Sequence, residues 1–150
     1  MYFRAIFCNL TWYWDQLDPM YTVFDRSSEL FSGIWTPAYD DFKPFYELYL
    51  ADGERYNGTG KLFPKTPIPE NLLSISMIPW TSFTGFNLNV TNNPTHLLPI
   101  LTAGGFVHKD GLMYLPLSFQ IHHAVCDGYH AGLFMNRVQE LAERSGEWLL

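Results

Sequence analysis

The chain has 150 residues, a formal net charge of -6 and only 9 Lys and Arg residues. Its length suits one hydrophobic core. The lack of a basic run excludes a nucleic-acid-binding class, which needs clustered cations, and no apolar stretch reaches the length of a membrane span. The sequence therefore predicts a single soluble domain over residues 1–150, with neither a nucleic acid nor a membrane as its partner.

The two cysteines, Cys8 and Cys126, lie far apart in the sequence. Such spacing does not indicate a disulfide framework and is typical of a reducing compartment. The apolar N-terminal stretch also lacks the basic flank and the small-residue cleavage site of a signal peptide. We therefore expect a cytoplasmic protein.

The first predicted helix follows Asp40 and Asp41, which are good N-cap residues. Pro44 is compatible with a helix only in its first turn, and this position meets that condition. Apolar residues then recur at helical spacing, at Phe42, Phe45, Tyr46, Tyr49 and Leu50.

Strands are predicted next, over residues 72–78, 86–90, 98–102 and 112–122. In the first of them Ser74 and Ser76 alternate with apolar residues, so both serines face one side of the sheet; Ser74 is interpreted as a solvated residue. Residues 112–121 are almost all apolar, which predicts a strand buried on both faces or at an interface. The pattern favours an α+β or α/β sandwich with a mixed, mostly antiparallel sheet.

The string QIHHAVCDGYH, over residues 120–130, carries the densest set of reactive side chains. It is followed by a helical pattern that ends near Ser145 and Gly146, so it is predicted to form a strand-to-helix turn, in which Gly128 allows the backbone to bend. Adjacent strand residues point to opposite faces, so only one of His122 and His123 can face a given cleft. A neutral histidine is the usual general base near pH 7.

Other interpretations of this string are a core histidine without a catalytic role, a Cys-His nucleophile and a metal site. Cysteine and histidine that are merely close in sequence do not predict a catalytic pair, and free cysteine is usually buried and inert. The possible ligands His122, His123, Cys126 and His130 match no zinc spacing, so no metal is expected.

The string resembles the active-site signature of the chloramphenicol acetyltransferase family. Its shorter form, HHxxxDG, also occurs in dihydrolipoyl acyltransferase cores, peptide-synthetase condensation domains and other CoA-dependent acyltransferases. Further segments resemble the same family in order and spacing: FSGIWT at 31–36, KLFP at 61–64, PEN at 69–71, SMIPWTSF at 76–83 and FNLN at 86–89. The resemblance is continuous from about Tyr21 to the C-terminus.

The resemblance implies a two-layer α/β sandwich that transfers acetyl from acetyl-CoA to a hydroxyl of chloramphenicol, inactivating the antibiotic. His123 is implied to be the general base in a direct ternary-complex mechanism. Ser76 is implied to donate a hydrogen bond to the oxyanion, and such a donor stabilises the transition state by roughly 3 kcal/mol. Thr102 matches a threonine that holds water near the oxyanion, and Asp127 matches a structural aspartate. Acetyl-CoA is implied to be a co-substrate, and no permanently bound cofactor is expected.

For the acceptor pocket the resemblance implies Phe31, Phe63 and Leu88, because the family binds its aryl substrate among apolar side chains. On the coenzyme side, Gly105 replaces a lysine that the family typically places near a CoA phosphate. Loss of one exposed contact is expected to weaken binding by about 1 kcal/mol or less. Phe106 is expected to pack against the coenzyme.

The family begins with an N-terminal segment that has no counterpart here, so we expect a truncated domain that lacks the arginine partner of Asp127. Without that partner, the pKa of a buried Asp127 carboxyl is expected to rise. The resemblance also implies a homotrimer with active sites between subunits. Candidate interface residues are found among Tyr21, Phe24, Phe31, Trp35 and Trp80, for which a place in the core of the monomer is the alternative. A CoA acyltransferase for another hydroxylated acceptor and an inactive remnant remain alternatives.

Overall fold

The computed structural model describes residues 3–4, 13–88 and 96–149. In chain order the elements are β1 (Phe3–Arg4), β2 (Tyr13–Trp14), β3 (Asp18–Asp25), β4 (Leu30–Trp35), α1 (Phe42–Tyr56), β5 (Leu72–Ile78), β6 (Ile100–Gly104), β7 (Val107–Lys109), β8 (Leu112–Tyr114), β9 (Leu117–Gln120), α2 (Gly128–Glu143) and a 3-10 turn (Ser145–Glu147).

Five of these strands form the central sheet, in the order β4-β3-β5-β6-β9. Strand β5 runs parallel to β3 and to β6, whereas the outer pairs β3–β4 and β6–β9 are antiparallel. The sheet is therefore mixed and the fold is α+β, as predicted. Strands β1 and β2 pair with each other, and so do β7 and β8.

The register of the sheet aligns polar residues across its three adjacent strands β5, β6 and β9. Ser76 pairs with Thr102, and Thr102 pairs with Ser118. Residues directly opposite each other in a ladder project from the same face. One face of the sheet therefore carries a row of three hydroxyl groups.

The other face packs against α1 and contains the core. Ile34 and Thr36 of this region are fully buried, and the ring of Tyr21 lies 4.6 Å from that of Tyr49 in the helix. Thr36 Oγ1 lies 2.9 Å from the Tyr21 hydroxyl and donates to Asp52 Oδ2 at 2.8 Å. Tyr21 is thus a core residue of this chain, which favours a core role over a role at a subunit interface, the two roles that the sequence left open.

Helix α1 confirms the prediction of a capped amphipathic helix. Asp41 Oδ1 accepts a hydrogen bond from the backbone N–H of Lys43 at 3.3 Å, and Pro44 lies in the first turn, where a missing N–H costs nothing. The helix continues to Tyr56, beyond the predicted apolar pattern, and is followed by Asn57.

The later strands depart from the prediction. The strand expected at 98–102 begins at Ile100 and ends at Gly104, and the one expected at 112–122 is divided into β8 and β9, because Pro116 cannot donate to a ladder. Residues 86–88 belong to no strand. The rest of the segment predicted as 86–90 lies outside the described residues.

The apolar residues of β8 are not buried within this chain. Leu112 and Met113 keep 60% and 62% of their surface exposed. The reason is that, among the described residues, β8 pairs with β7 alone, as a hairpin separate from the central sheet.

Helix α2 begins at Gly128, and Asp127 is its N-cap. A side chain at Gly128 would meet nothing within 4 Å, so the expectation that this position requires glycine for a bend is wrong. Among the described residues, neither helix has the length and apolar character needed to cross a membrane.

Candidate active site

An apolar cavity of about 280 Å³ opens on the face of the sheet that carries the hydroxyl row. Strands β3, β4 and β5 form its floor, and two loop segments complete its rim. The three residues predicted for the acceptor pocket and the predicted oxyanion donor all line it, namely Phe31, Phe63, Leu88 and Ser76. Residues that are far apart in sequence are therefore brought together in one pocket.

The loop that carries Phe63 is bound to β4 by two hydrogen bonds. The backbone N–H of Gly33 donates to Leu62 O at 2.7 Å, and Ser32 Oγ donates to Lys61 O at 2.7 Å. A Cβ at Gly33 would lie 2.9 Å from the Phe63 ring. The absence of a side chain at Gly33 lets the ring lie directly on the strand.

An ion pair fastens the same loop to helix α1. Lys65 Nζ lies 2.6 Å from Asp52 Oδ2, and both side chains are mostly buried. The ammonium group also lies 4.4 Å from the centre of the Trp35 ring, a favourable cation–π distance. Two hydrogen bonds to β4 and the contacts of Lys65 with Asp52 and Trp35 therefore hold the loop on which the pocket depends.

Ser76 lies on β5 at the edge of the pocket, with its Oγ 3.3 Å from Thr102 Oγ1. Thr102 is 2% exposed, so packing holds its side chain in place. Ser74 lines the same pocket. Ser74, interpreted from the sequence as a solvated residue, is half-buried on the same face as Ser76.

His123 lies in a second cleft, of about 430 Å³. It follows β9, within the irregular segment between β9 and α2, so the two histidines are not strand residues as predicted. They still diverge, because His122 Nδ1 accepts a hydrogen bond from the backbone N–H of Ala124 at 3.1 Å, whereas His123 lines the cleft. The clefts of His123 and Ser76 share no lining residue.

Asp127 caps helix α2 and stays exposed. Its Oδ1 accepts a hydrogen bond from the backbone N–H of His130 at 2.9 Å and lies 2.7 Å from His130 Nδ1. These two contacts lower the pKa of the Asp127 carboxyl. A raised pKa was expected only for a buried Asp127, and this condition is not met, because the carboxylate is exposed and the helix N-terminus stabilises its charge.

Cys126 is a free thiol beside the His123 cleft. Partial burial and the neighbouring Asp127 carboxylate raise its pKa, which disfavours the thiolate that a nucleophilic mechanism requires. Within the described residues, no three His, Cys, Asp or Glu side chains are grouped so as to hold a metal ion.

On the predicted coenzyme side, Phe106 follows β6 and is 55% exposed. It lines neither of the two cavities described above. Gly105 is buried, and its N–H donates to Thr81 O at 2.6 Å. A Cβ at Gly105 would lie 2.8 Å from Pro79 O, so the backbone closes this position to a lysine or any other side chain.

Two polar residues of β9 contribute to the site although the sequence analysis did not predict them as site residues. The Gln120 side chain forms two hydrogen bonds with the backbone of Leu88, and Ser118 Oγ donates to Phe86 O at 2.8 Å. The signal that pointed to them was the occurrence of Ser and Gln at alternate positions of an otherwise apolar strand.

The sequence matches the family model described as "Chloramphenicol acetyltransferase" over residues 2–139. The chain belongs to the chloramphenicol acetyltransferase family. The match begins earlier than the expected start near Tyr21 and ends before the C-terminus.

Two relatives with the name "Chloramphenicol acetyltransferase" illustrate the similarity. One, from Staphylococcus aureus, is 68% identical over 138 residues, which is 92% of this chain and 64% of the relative. The other, from Clostridium butyricum, is 50% identical over 137 residues, or 91% of this chain and 63% of the relative. The chain thus spans less than two thirds of the length of these chloramphenicol acetyltransferases.

Solved structures share the fold. A chloramphenicol acetyltransferase superimposes with a TM-score of 0.75 at 22% identity, covering 87% of this chain and 63% of its own length. A dihydrolipoamide acetyltransferase of Azotobacter vinelandii gives a TM-score of 0.62 at 20% identity, covering 95% and 60%. The α+β architecture is therefore common to both acetyltransferases.

Proposed function

We propose that this chain catalyses acetyl transfer from acetyl-CoA to a hydroxyl of chloramphenicol, as the name of its family indicates. The observation that carries the proposal is the apolar pocket at Ser76, because an aryl acceptor with few charges fits a pocket of aromatic and aliphatic side chains with a few polar groups. Phe31, Phe63 and Leu88 supply the apolar contacts.

In the proposed reaction, His123 removes the proton of the acceptor hydroxyl as the oxygen attacks the thioester carbonyl. The tetrahedral oxyanion accepts a hydrogen bond from Ser76, whose hydroxyl is oriented by Thr102 at 3.3 Å. Collapse of the intermediate breaks the carbon–sulfur bond, and the CoA sulfur takes the proton held by the imidazolium. Acetyl-CoA is a co-substrate, and no acetyl-enzyme is formed.

The proposed active unit is a homotrimer in which His123 of one subunit faces the acceptor pocket of its neighbour. A base and an oxyanion donor must both lie within about 3 Å of the reacting atoms. In one chain, His123 and Ser76 line separate clefts, so a second subunit would bring them together. Exposed apolar groups such as Trp80, which is 71% exposed, and its edge-on partner Phe24 suit an interface.

The proposed location is the cytoplasm. The reaction consumes acetyl-CoA, which is a cytoplasmic metabolite in bacteria, and Cys126 is a free thiol, as is usual in a reducing compartment. Asp127 is proposed to shape the turn that carries His123, through its cap of α2.

The test follows thiol release from acetyl-CoA in the presence of chloramphenicol. His123→Ala is expected to lower kcat by about 1000-fold, because a positioned general base contributes on this scale. The matched control is His122→Asn, in which the amide oxygen can still accept from Ala124; it is expected to leave kcat within about twofold. Equal rates for the wild type and His123→Ala would refute the assigned base.

The same assay distinguishes chloramphenicol from other alcohols as the acetyl acceptor. Release of thiol with other alcohols but not with chloramphenicol would reassign the chain to another hydroxylated acceptor. No release with any alcohol would identify this chain as inactive.

A further inference from the structure

Residues 86–88 connect the two clefts of the candidate active site. Phe86 and Asn87 line the cleft of His123, whereas Leu88 lines the acceptor pocket beside Ser76. These three residues belong to no strand. Their position therefore depends on individual contacts and not on a backbone ladder.

The side-chain amide of Gln120 forms two of these contacts, and both are with the backbone of Leu88. The N–H of Leu88 donates to Gln120 Oε1 at 3.0 Å, and Gln120 Nε2 donates to Leu88 O at 2.9 Å. An amide that binds both the N–H and the C=O of one residue acts as a neighbouring strand would. It fixes the orientation of the Leu88 backbone, and hence the direction of its side chain.

Gln120 is placed for this task by the central sheet. It ends β9, where it pairs with Ile100 of β6, and Ile100 itself lines the acceptor pocket. Ser118 lies two residues earlier on the same face of β9, and its hydroxyl donates to Phe86 O at 2.8 Å. The two side chains thus hold both ends of the 86–88 segment.

We infer that Gln120, which also lines the cleft of His123, is a positioning residue for the acceptor that acts through Leu88. This inference rests on the proposed function, because it assigns chloramphenicol to the pocket that Leu88 lines. The inference predicts an effect on the binding of one substrate and not of the other. Loss of the amide weakens acceptor binding and leaves coenzyme binding unchanged.

The test compares the wild type with Gln120→Met, which keeps the length of the side chain and removes both hydrogen bonds. Chloramphenicol binding is measured by calorimetry, and exchange of the Leu88 amide hydrogen by NMR or mass spectrometry. We expect the Kd for chloramphenicol and the exchange rate of the Leu88 amide each to rise about tenfold, since two net hydrogen bonds are lost. The Kd for acetyl-CoA is expected to stay within about twofold.

Two further variants separate positioning from general stability. In Gln120→Glu the carboxylate can still accept from the Leu88 N–H, so exchange at Leu88 is expected to stay slow. Gln139→Met removes a glutamine of α2 that donates to Glu143 within its own helix, and it is expected to change neither Kd.

Several results would overturn the inference. One is unchanged chloramphenicol binding by Gln120→Met despite fast exchange at Leu88, and another is equal weakening of chloramphenicol and acetyl-CoA. Absence of chloramphenicol binding by the wild type would overturn it as well. Tight chloramphenicol binding without thiol release would instead contradict only the proposed function, because the binding comparison needs no turnover.

Discussion

The Tyr21 hydroxyl is buried under helix α1, in contact with Thr36. Burial raises its pKa from 10.0 to about 12, and the Asp52 carboxylate also raises it, while the hydrogen bond to Thr36 lowers it. The folded chain therefore favours the neutral phenol. The stability due to this group is fully present below pH 10 and is lost as the pH rises toward 12.

Tyr21→Phe isolates this contribution. At pH 7 we expect the variant to have a free energy of unfolding lower by about 1 kcal/mol, because one buried hydrogen bond is lost. Above pH 10 the phenol ionises first in the unfolded wild-type chain, so the difference between the two proteins should narrow. Urea unfolding at pH 7 and pH 11 provides the measurement, and a difference that does not change with pH would contradict the assignment.

Gly105 is predicted, from the resemblance, to replace a lysine of the family, and the structure gives a reason why a lysine does not fit here. We expect Gly105→Lys to lower the free energy of unfolding by about 2 kcal/mol, because its Cβ would overlap Pro79 O and the backbone would have to shift. Tighter binding of acetyl-CoA is not expected.

The control is Gly132→Lys in helix α2, where a Cβ meets nothing within 4 Å. It is expected to unfold at the same urea concentration as the wild type or at a higher one, since glycine is a poor helix former. Equal stability of the two lysine variants would show that residue 105 has room for a side chain.

At the scale of elements, the loop between α1 and β5 shapes the acceptor pocket, and its ion pair offers a direct test. Lys65→Met is expected to lower the free energy of unfolding by about 2 kcal/mol, because Asp52 loses a mostly buried cation. It should also raise the KM for chloramphenicol, since the segment that carries Phe63 loses an anchor. Lys61→Met, at an exposed lysine of the same loop, is the control for both measurements.

Strand β5 shows what sequence patterns predict well. Its alternating residues predict both its bounds, Leu72–Ile78, and the common face of Ser74 and Ser76, because period-two alternation reflects a sheet with two different faces. The prediction of one continuous buried strand over residues 112–122 was wrong, because hydropathy does not distinguish a buried strand from an exposed hairpin of apolar residues. Only tertiary contacts separate β8 from β9.

The candidate site was predictable in parts. Resemblance to the family indicated Phe31, Phe63 and Leu88, and the fold brings these residues into one pocket. Alternation along β9 marks Gln120 as a polar residue on one face of the sheet, but its partner Leu88 lies 32 residues away, and no local pattern predicts that contact. From the sequence, Gly105 was interpreted as the loss of a phosphate contact. The backbone of Pro79 and Thr81, which leaves no room for a side chain at this position, is visible only in three dimensions.

At the scale of the whole molecule, the two separate clefts lead to a test of the proposed trimer. Ser76→Ala and His123→Ala each remove one half of every active site. If the halves come from different subunits, some interfaces in a mixed trimer pair an intact His123 with an intact Ser76. Refolding the two variants together should then restore about a quarter of the wild-type activity, as random assembly predicts for such an interface.

The control for this experiment mixes the two variants after separate refolding, under conditions that prevent subunit exchange. That mixture should show only the sum of the two residual activities. No recovery after joint refolding, in a sample whose size-exclusion mass is that of a trimer, would mean that each site lies within one chain.

The apolar lining of the Ser76 pocket has a consequence for the range of antibiotics that such a chain would modify. Contacts of this kind distinguish ligands by shape and volume only weakly, by about 1–3 kcal/mol for each methylene group. Congeners with altered apolar substituents should therefore still be acetylated, with kcat/KM lowered by roughly 10- to 200-fold for each methylene group added or removed. Chemical redesign aimed at evading resistance would gain more by removing the nucleophilic oxygen than by changing the portion that Phe31, Phe63 and Leu88 enclose.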